Sequence, residues 1–153
     1  MRRLSLGVLR KLLTLTAPEW KALLGAQAAL IRAQLLVWTR PRGQLFVAGP
    51  DAPRAPSTEG VGSPVLQRLA SAVERAADHG LYRPSCLVRS LALQRLLTSY
   101  GITGSVVRVG VRVAGARFTA HAWVEYRGQV LADREWRVRK FEQLTQLEVH
   151  ERS

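Results

Sequence analysis

The spacing of apolar residues changes on either side of Gly101, and that change limits the folds open to the chain. Before it, in "CLVRSLALQRLL", the apolar residues Leu87, Val88, Leu91, Ala92, Leu96 and Leu97 fall at helical spacing. After it, in "SVVRVGVRV", Val107, Val109, Val111 and Val113 alternate with Arg108, Gly110 and Arg112, which is the period of a half-buried strand. The alternation resumes in "RFTAHAWVEY". Phe118, Ala120, Ala122, Val124 and Tyr126 share one face there, and Thr119, His121, Trp123 and Glu125 the other. Turn signals at 114–116 ("AGA") and 127–128 ("RG") separate these strands from each other and from a third, "QVLAD", which ends on Asp133. Helices followed by an antiparallel meander make an α+β fold.

The helices have readable starts. Ser63 caps, Pro64 begins and Gly80 stops a helix whose apolar positions are Val65, Leu66, Leu69, Val73, Ala76 and Ala77. Pro84 and Ser85 set the start of the next one, so that Cys86 stands at its N-terminus. Upstream, "TAPE" reads as a capping box, with Thr16 as cap and Glu19 three residues on, opening a helix that runs to about Trp38. A further helix with Leu9, Leu12, Leu13 and Leu15 precedes it. Residues 39–64 carry five prolines and read as a linker, with "QLFVA" as a short strand inside it. In the C-terminal tail, "FEQLTQLEV" reads as a short helix. The division expected is residues 1–64, a helical N-terminal region and Pro/Gly-rich linker, and residues 65–153, the functional domain.

The 153 residues suit one domain that needs no metal or disulfide to fold. The single cysteine excludes an internal disulfide and fits a reducing compartment. A net charge of +12 raises nucleic-acid binding, but residues 1–64 and 65–153 each carry +6, and no basic tract occurs. An acidic peptide or protein partner satisfies the same charge. At the N-terminus Arg10 and Lys11 interrupt what would be the apolar core of a signal peptide. The apolar stretch 22–38 contains Gln27, Arg32 and Gln34 and falls short of a clean membrane span, so it is expected to pack on the domain or on a partner. The location expected is the cytoplasm.

Cys86, His121 and Asp133 form the one constellation with chemistry in it. A helix N-terminus favours a thiolate at Cys86. His121 is mid-strand, and Asp133 ends the strand joined to it by a tight turn. Neighbouring strands lie about 4.8 Å apart, within reach for a carboxylate and an imidazole. The three supply a nucleophile, a base and a group that orients the base. Each has a plainer reading as a core thiol, a structural histidine and a turn aspartate. Three dispersed residues without a close ligand pair make a poor metal site, and no metal or cofactor is expected. His79 and His150 read as structural. Arg83 and Arg89 flank the cysteine and read as solvated, though either could hold a carboxylate. Trp123 reads equally as packing or as a shield over His121.

"CLVRSLALQRLLTSYGI" followed by "AHAWVEYRGQVLAD" resembles the transglutaminase-like, papain-type leader peptidases of lasso-peptide biosynthesis. In that family a cysteine begins a helix, a histidine stands in an "HAWVE"-type strand, and an aspartate follows one hairpin later. The resemblance covers about residues 80–135 and implies Cys86, His121 and Asp133 as the catalytic triad. It also implies a nucleophile-bearing helix packed on a small antiparallel sheet, with a helical N-terminal region. Residues 1–64 lack the three strands of the family's fused leader-recognition domain, so the chain looks like the stand-alone peptidase. A separate leader-recognition protein, a precursor peptide with leader and core, and an ATP-dependent cyclase are the partners implied. Acyl transfer to an amine, and a non-catalytic basic scaffold, are the other readings open to these residues.

Overall fold

A computed structural model describes residues 16–39, 60, 62–80 and 82–144. The expected helix around Leu9–Leu15, the "QLFVA" strand and His150 lie outside them. Helix α1 (Ala17–Thr39) opens with the expected capping box, the Thr16 N–H and hydroxyl both donating to Glu19 Oε2 at 2.8 Å. Those bonds, the backbone one first, hold the Glu19 carboxyl below its usual range. Helix α2 (Pro64–His79) is capped by Ser63, whose side chain accepts from the Val65 N–H. Helix α3 (Cys86–Ser99) is capped by Ser85, whose Oγ accepts from the Val88 N–H at 3.4 Å.

The three helices share one core. On α1, Ala22, Ala26, Leu30 and Ala33 recur every three or four residues and are fully buried against α2 and α3. Three of the four are alanine, which lets the helices approach closely. Gly80 permits the same closeness at the end of α2: a Cβ there would lie 2.1 Å from the Ala76 carbonyl and 2.4 Å from Gln27 Oε1 of α1. Tyr82 fastens the α2–α3 connection to α1, its hydroxyl donating to the Leu30 carbonyl at 2.7 Å, and burial raises its pKa. The apolar segment 22–38 therefore packs on the domain by one stripe. Its other stripe, from Trp20 through Leu24 and Leu35 to Trp38, is exposed. By length and composition α1 is also long and apolar enough to cross a membrane.

Strands β1 (Ser105–Ala114), β2 (Arg117–Tyr126), β3 (Gln129–Leu131) and β4 (Glu142–Gln143) form an antiparallel sheet in the order β3-β2-β1-β4. The long β1–β2 ladder pairs Gly110 with His121 and Val113 with Phe118. Arg127 and Gly128, both at positive φ, close the tight β2–β3 turn. Val124, Tyr126 and Leu131 carry the sheet's share of the core under α3.

Two expectations need correction. The third strand is shorter than "QVLAD", because Ala132 adopts φ 54° and takes the chain out of the ladder before Asp133. The tail segment is not helical where it is described: after a single helical turn, α4 (Glu135–Val138), Glu142 and Gln143 pair with Val111 and Gly110 as a fourth strand. Pairing across the open edge of β1 outweighs the local helical pattern there.

Candidate active site

Asp133 is fixed before it meets His121. The left-handed turn at Ala132 is uncommon for a residue with a Cβ, and it swings Asp133 off the strand axis. Its Oδ1 accepts from the Arg134 N–H at 2.7 Å, and Arg137 Nη1 lies 3.9 Å from the same oxygen. That leaves Oδ2 for His121 Nε2, 2.6 Å away, with both side chains largely buried. With Nε2–H donating to the carboxylate, Nδ1 is the nitrogen free to take a proton.

The ring of His121 is also held from the sides. Trp123 stacks at 6.2 Å between centroids and Phe141 lies tilted at 5.1 Å. Trp123 is only 1% exposed, and its indole N–H donates to Glu125 at 2.9 Å. Glu125 is held in turn by Arg108 and Gln143. Trp123 therefore packs beside the histidine on the sheet face away from α3. Gly110, the ladder partner of His121, makes this possible: a Cβ there would come within 2.9 Å of both the Trp123 ring and Phe141. Phe141 and Gly110 were not among the residues expected at the site. A lone glycine inside an alternating strand marks a close approach and was the available signal. Nothing in the local pattern marked Phe141, which reaches the site through β4.

Cys86 is the first residue of α3, a free and half-buried thiol. Ser85 satisfies the N–H groups of Val88 and Arg89, through its hydroxyl and its carbonyl. The N–H groups of Cys86 and Leu87 have no acceptor among the described residues, as expected at a helix start. The short connection from α3 into β1 sends the strand back along the helix. Gln94 of α3 donates to the Ser105 carbonyl at 2.9 Å, which fixes their relative level. From Gln94 back to Cys86 is about 12 Å of helix. Hydrogen bonds among the described residues join His121 to Asp133, and none joins either to Cys86.

Charged groups surround this region. Arg89, one turn after Cys86, pairs with Asp78 at 2.9 Å and is thus not simply solvated. Glu74 of α2 faces both Asp78 and Asp133; partial burial, then these like charges, raise its pKa, and Arg89 and Arg134 offset part of the effect. A cleft of about 380 Å³ separates α2 from β3 and is lined by Glu74 and Asp133 among others. Glu74 had not been expected at the site, since in sequence it is one polar position of an amphipathic helix. His79 ends α2 and has no part in the pair. No group of three His, Cys, Asp or Glu side chains is placed to hold a metal ion among the described residues.

A thiol at a helix start and a carboxylate-oriented imidazole on a strand are the groups that cysteine peptidases and acyltransferases use. No curated protein and no solved structure matches the chain. The model of the transglutaminase-like superfamily matches residues 23–146, which takes in most of α1, the thiol helix and the whole sheet. The chain belongs to the transglutaminase-like superfamily.

Proposed function

We propose that the protein is a cytoplasmic cysteine peptidase that removes the leader from a lasso-peptide precursor, presented to it by a separate leader-recognition protein. The observation that carries the reading is the 2.6 Å His121–Asp133 pair on the strand against which the Cys86 helix packs. Asp133 holds His121 in the tautomer that leaves Nδ1 basic. Nδ1 takes the Cys86 proton, and the thiolate sulfur attacks the carbonyl carbon at the leader–core junction. The C–N bond breaks, His121 returns the proton to the leaving amine, and the leader is left as a thioester on Cys86. A water deprotonated by His121 then attacks the thioester carbonyl, the C–S bond breaks, the Cys86 sulfur takes the proton back from His121, and the leader leaves as a free acid. The unpartnered N–H groups at the start of α3 are suited to the oxyanion of each tetrahedral intermediate. Catalytic hydrogen bonds tighten when substrate binds, so a thiol not yet bonded to its base is compatible with this role. The freed core amine is the substrate for an ATP-dependent cyclase.

Mixing the protein with precursor and recognition protein, and following masses, tests the reading. A free leader acid supports hydrolysis. An adduct of leader and amine supports acyl transfer, which the superfamily also contains. Undiminished cleavage by Cys86→Ala would remove Cys86 from the mechanism.

A further inference from the structure

Strand β4 covers only part of the edge it lies on. Glu142 and Gln143 pair with Val111 and Gly110, and the next residue, Leu144, donates its N–H to the Val109 carbonyl at 3.0 Å. The pairing is antiparallel, so each further residue of the tail lies one residue closer to the start of β1. Continued in that register, Gln146 meets Val107 and Glu148 meets Ser105. By alternation Val107 turns its N–H and carbonyl to the same side as Val109, and no described residue pairs with it there. At Ser105 the edge is already in use, because its carbonyl accepts from Gln94 Nε2 of α3 at 2.9 Å. A strand growing along this edge therefore runs out at the level of Glu148.

A basic cleft begins where it runs out. The cleft, of about 540 Å³, lies between α1 and the α3–β1 connection. Thr103 and Ser105 line it on the side of β1, Gly25 and Ala28 on the side of α1, and Arg32 and Arg95 bring two guanidinium groups to it. No carboxylate lines it, and neither arginine has an ion-pair partner among the described residues. Arg95 directly follows Gln94, the residue that reaches Ser105. The tail after Leu144, "TQLEVHERS", carries two carboxylates, Glu148 and Glu151. Residues opposite each other in a ladder turn their side chains to one face. Ser105 and Val107 pair with Tyr126 and Val124, whose side chains lie in the core under α3. In this register Glu148 turns to that same face, the face of Arg95. Three further residues carry the chain about 10 Å onward, enough to bring Glu151 into the cleft.

We infer that residues 145–151 are a strap that extends β4 as far as Val107 and then seats Glu148 and Glu151 on Arg95 and Arg32. Three separate features select this occupant: the direction and register of β4, the point at which Gln94 closes the edge, and the opposite charge of cleft and tail. The strap removes an open strand edge that would otherwise offer itself to another chain. It also joins the outer side of the sheet to α1 and α3. This goes beyond the peptidase reading and does not depend on a reactive Cys86.

The test is hydrogen exchange at the Val107 amide, read by NMR. The full-length protein is set beside a chain ending at Leu144, Arg95→Glu, Glu148→Arg and the double charge swap. Exchange at Val107 should be at least about 10-fold faster in the shortened chain and about 3-fold faster in each single variant. The double swap should return it to within about 2-fold of the parent. Arg95 is exposed, so its replacement leaves the core intact, and an unchanged amide at the buried Val73 of α2 separates local opening from lost stability. Unchanged Val107 exchange in the shortened chain and in both single variants overturns the strap. So does faster exchange in the single variants without recovery in the double swap. Protection of Val107 that grows with protein concentration also overturns it, and assigns the edge to a second copy of the chain.

Discussion

The two halves of the β1–β2 hairpin have the same sequence pattern and opposite surroundings. In the half running from Ser105 to Gly110 and from His121 to Tyr126, α3 covers one face and Phe141 packs on the other, so even the outward Trp123 is buried. In the half running from Val113 to Ala120, every residue described is exposed, including the apolar Val113 and Phe118. Alternation assigns residues to faces in both halves. What covers a face is decided by the length of the neighbouring helix and by β4. His121 is the last ladder residue before β2 becomes exposed. The candidate site is thus the border between the two halves.

That contrast orders the substitutions by expected effect. At the border the cost is chemical. Cys86→Ala and His121→Ala should lower precursor cleavage by at least about 10³-fold, read by mass spectrometry, with the melting temperature little changed. Asp133→Asn should cost roughly 10²–10⁴-fold by leaving His121 in the wrong tautomer. Near-normal cleavage by Asp133→Asn would mean that the 2.6 Å bond is structural.

Within the covered half and its helices the cost is stability. Leu97→Ala and Leu30→Ala each remove a fully buried side chain and should destabilise by about 2–5 kcal/mol. Gly110→Ala, which pushes a methyl into Trp123 and Phe141, should cost about 1–3 kcal/mol. Phe118→Ser in the bare half should stay within about 0.5 kcal/mol. Denaturant titration separates these, and a large loss from Phe118→Ser would show that the projecting half is covered after all.

The smallest effect lies beside the border. The Glu74 pKa is raised in the folded protein, so its favourable contribution belongs to the protonated form. That contribution is complete below the unfolded carboxyl pKa and is lost as pH rises through the raised folded value. Glu74→Gln should therefore raise the melting temperature slightly at pH 7, with the gain vanishing toward pH 4. A loss at pH 7 would mean that the Arg89 and Arg134 charges outweigh burial.

Much of this was legible in the residues, because local chemistry decides it. Ser63, Ser85 and the Thr16–Glu19 box each set a helix start through their own hydrogen bonds, and the change of period at Gly101 separated the helices from the sheet. The adjacency of His121 and Asp133 followed from one tight turn. What did not follow was set by distant contacts. The 141–144 segment became a strand because β1 offered an open edge, against its own pattern. Phe141 reached His121 only through that pairing, and Glu74 approached Asp133 only because α2 packs beside β3. The uncovered hairpin face depended on the relative lengths of a helix and a strand, which no single segment reveals.

The central claim is that His121, oriented by Asp133, activates Cys86. The rate of iodoacetamide alkylation at Cys86, the chain's single cysteine, measures it directly at neutral pH in the full-length protein and in His121→Ala. The account predicts a fall of at least about 10-fold on losing the imidazole, a positioned base contributing about 10²–10⁴-fold to a proton-transfer step. Equal rates in the two proteins would contradict it and leave Cys86 an ordinary thiol at the start of a helix.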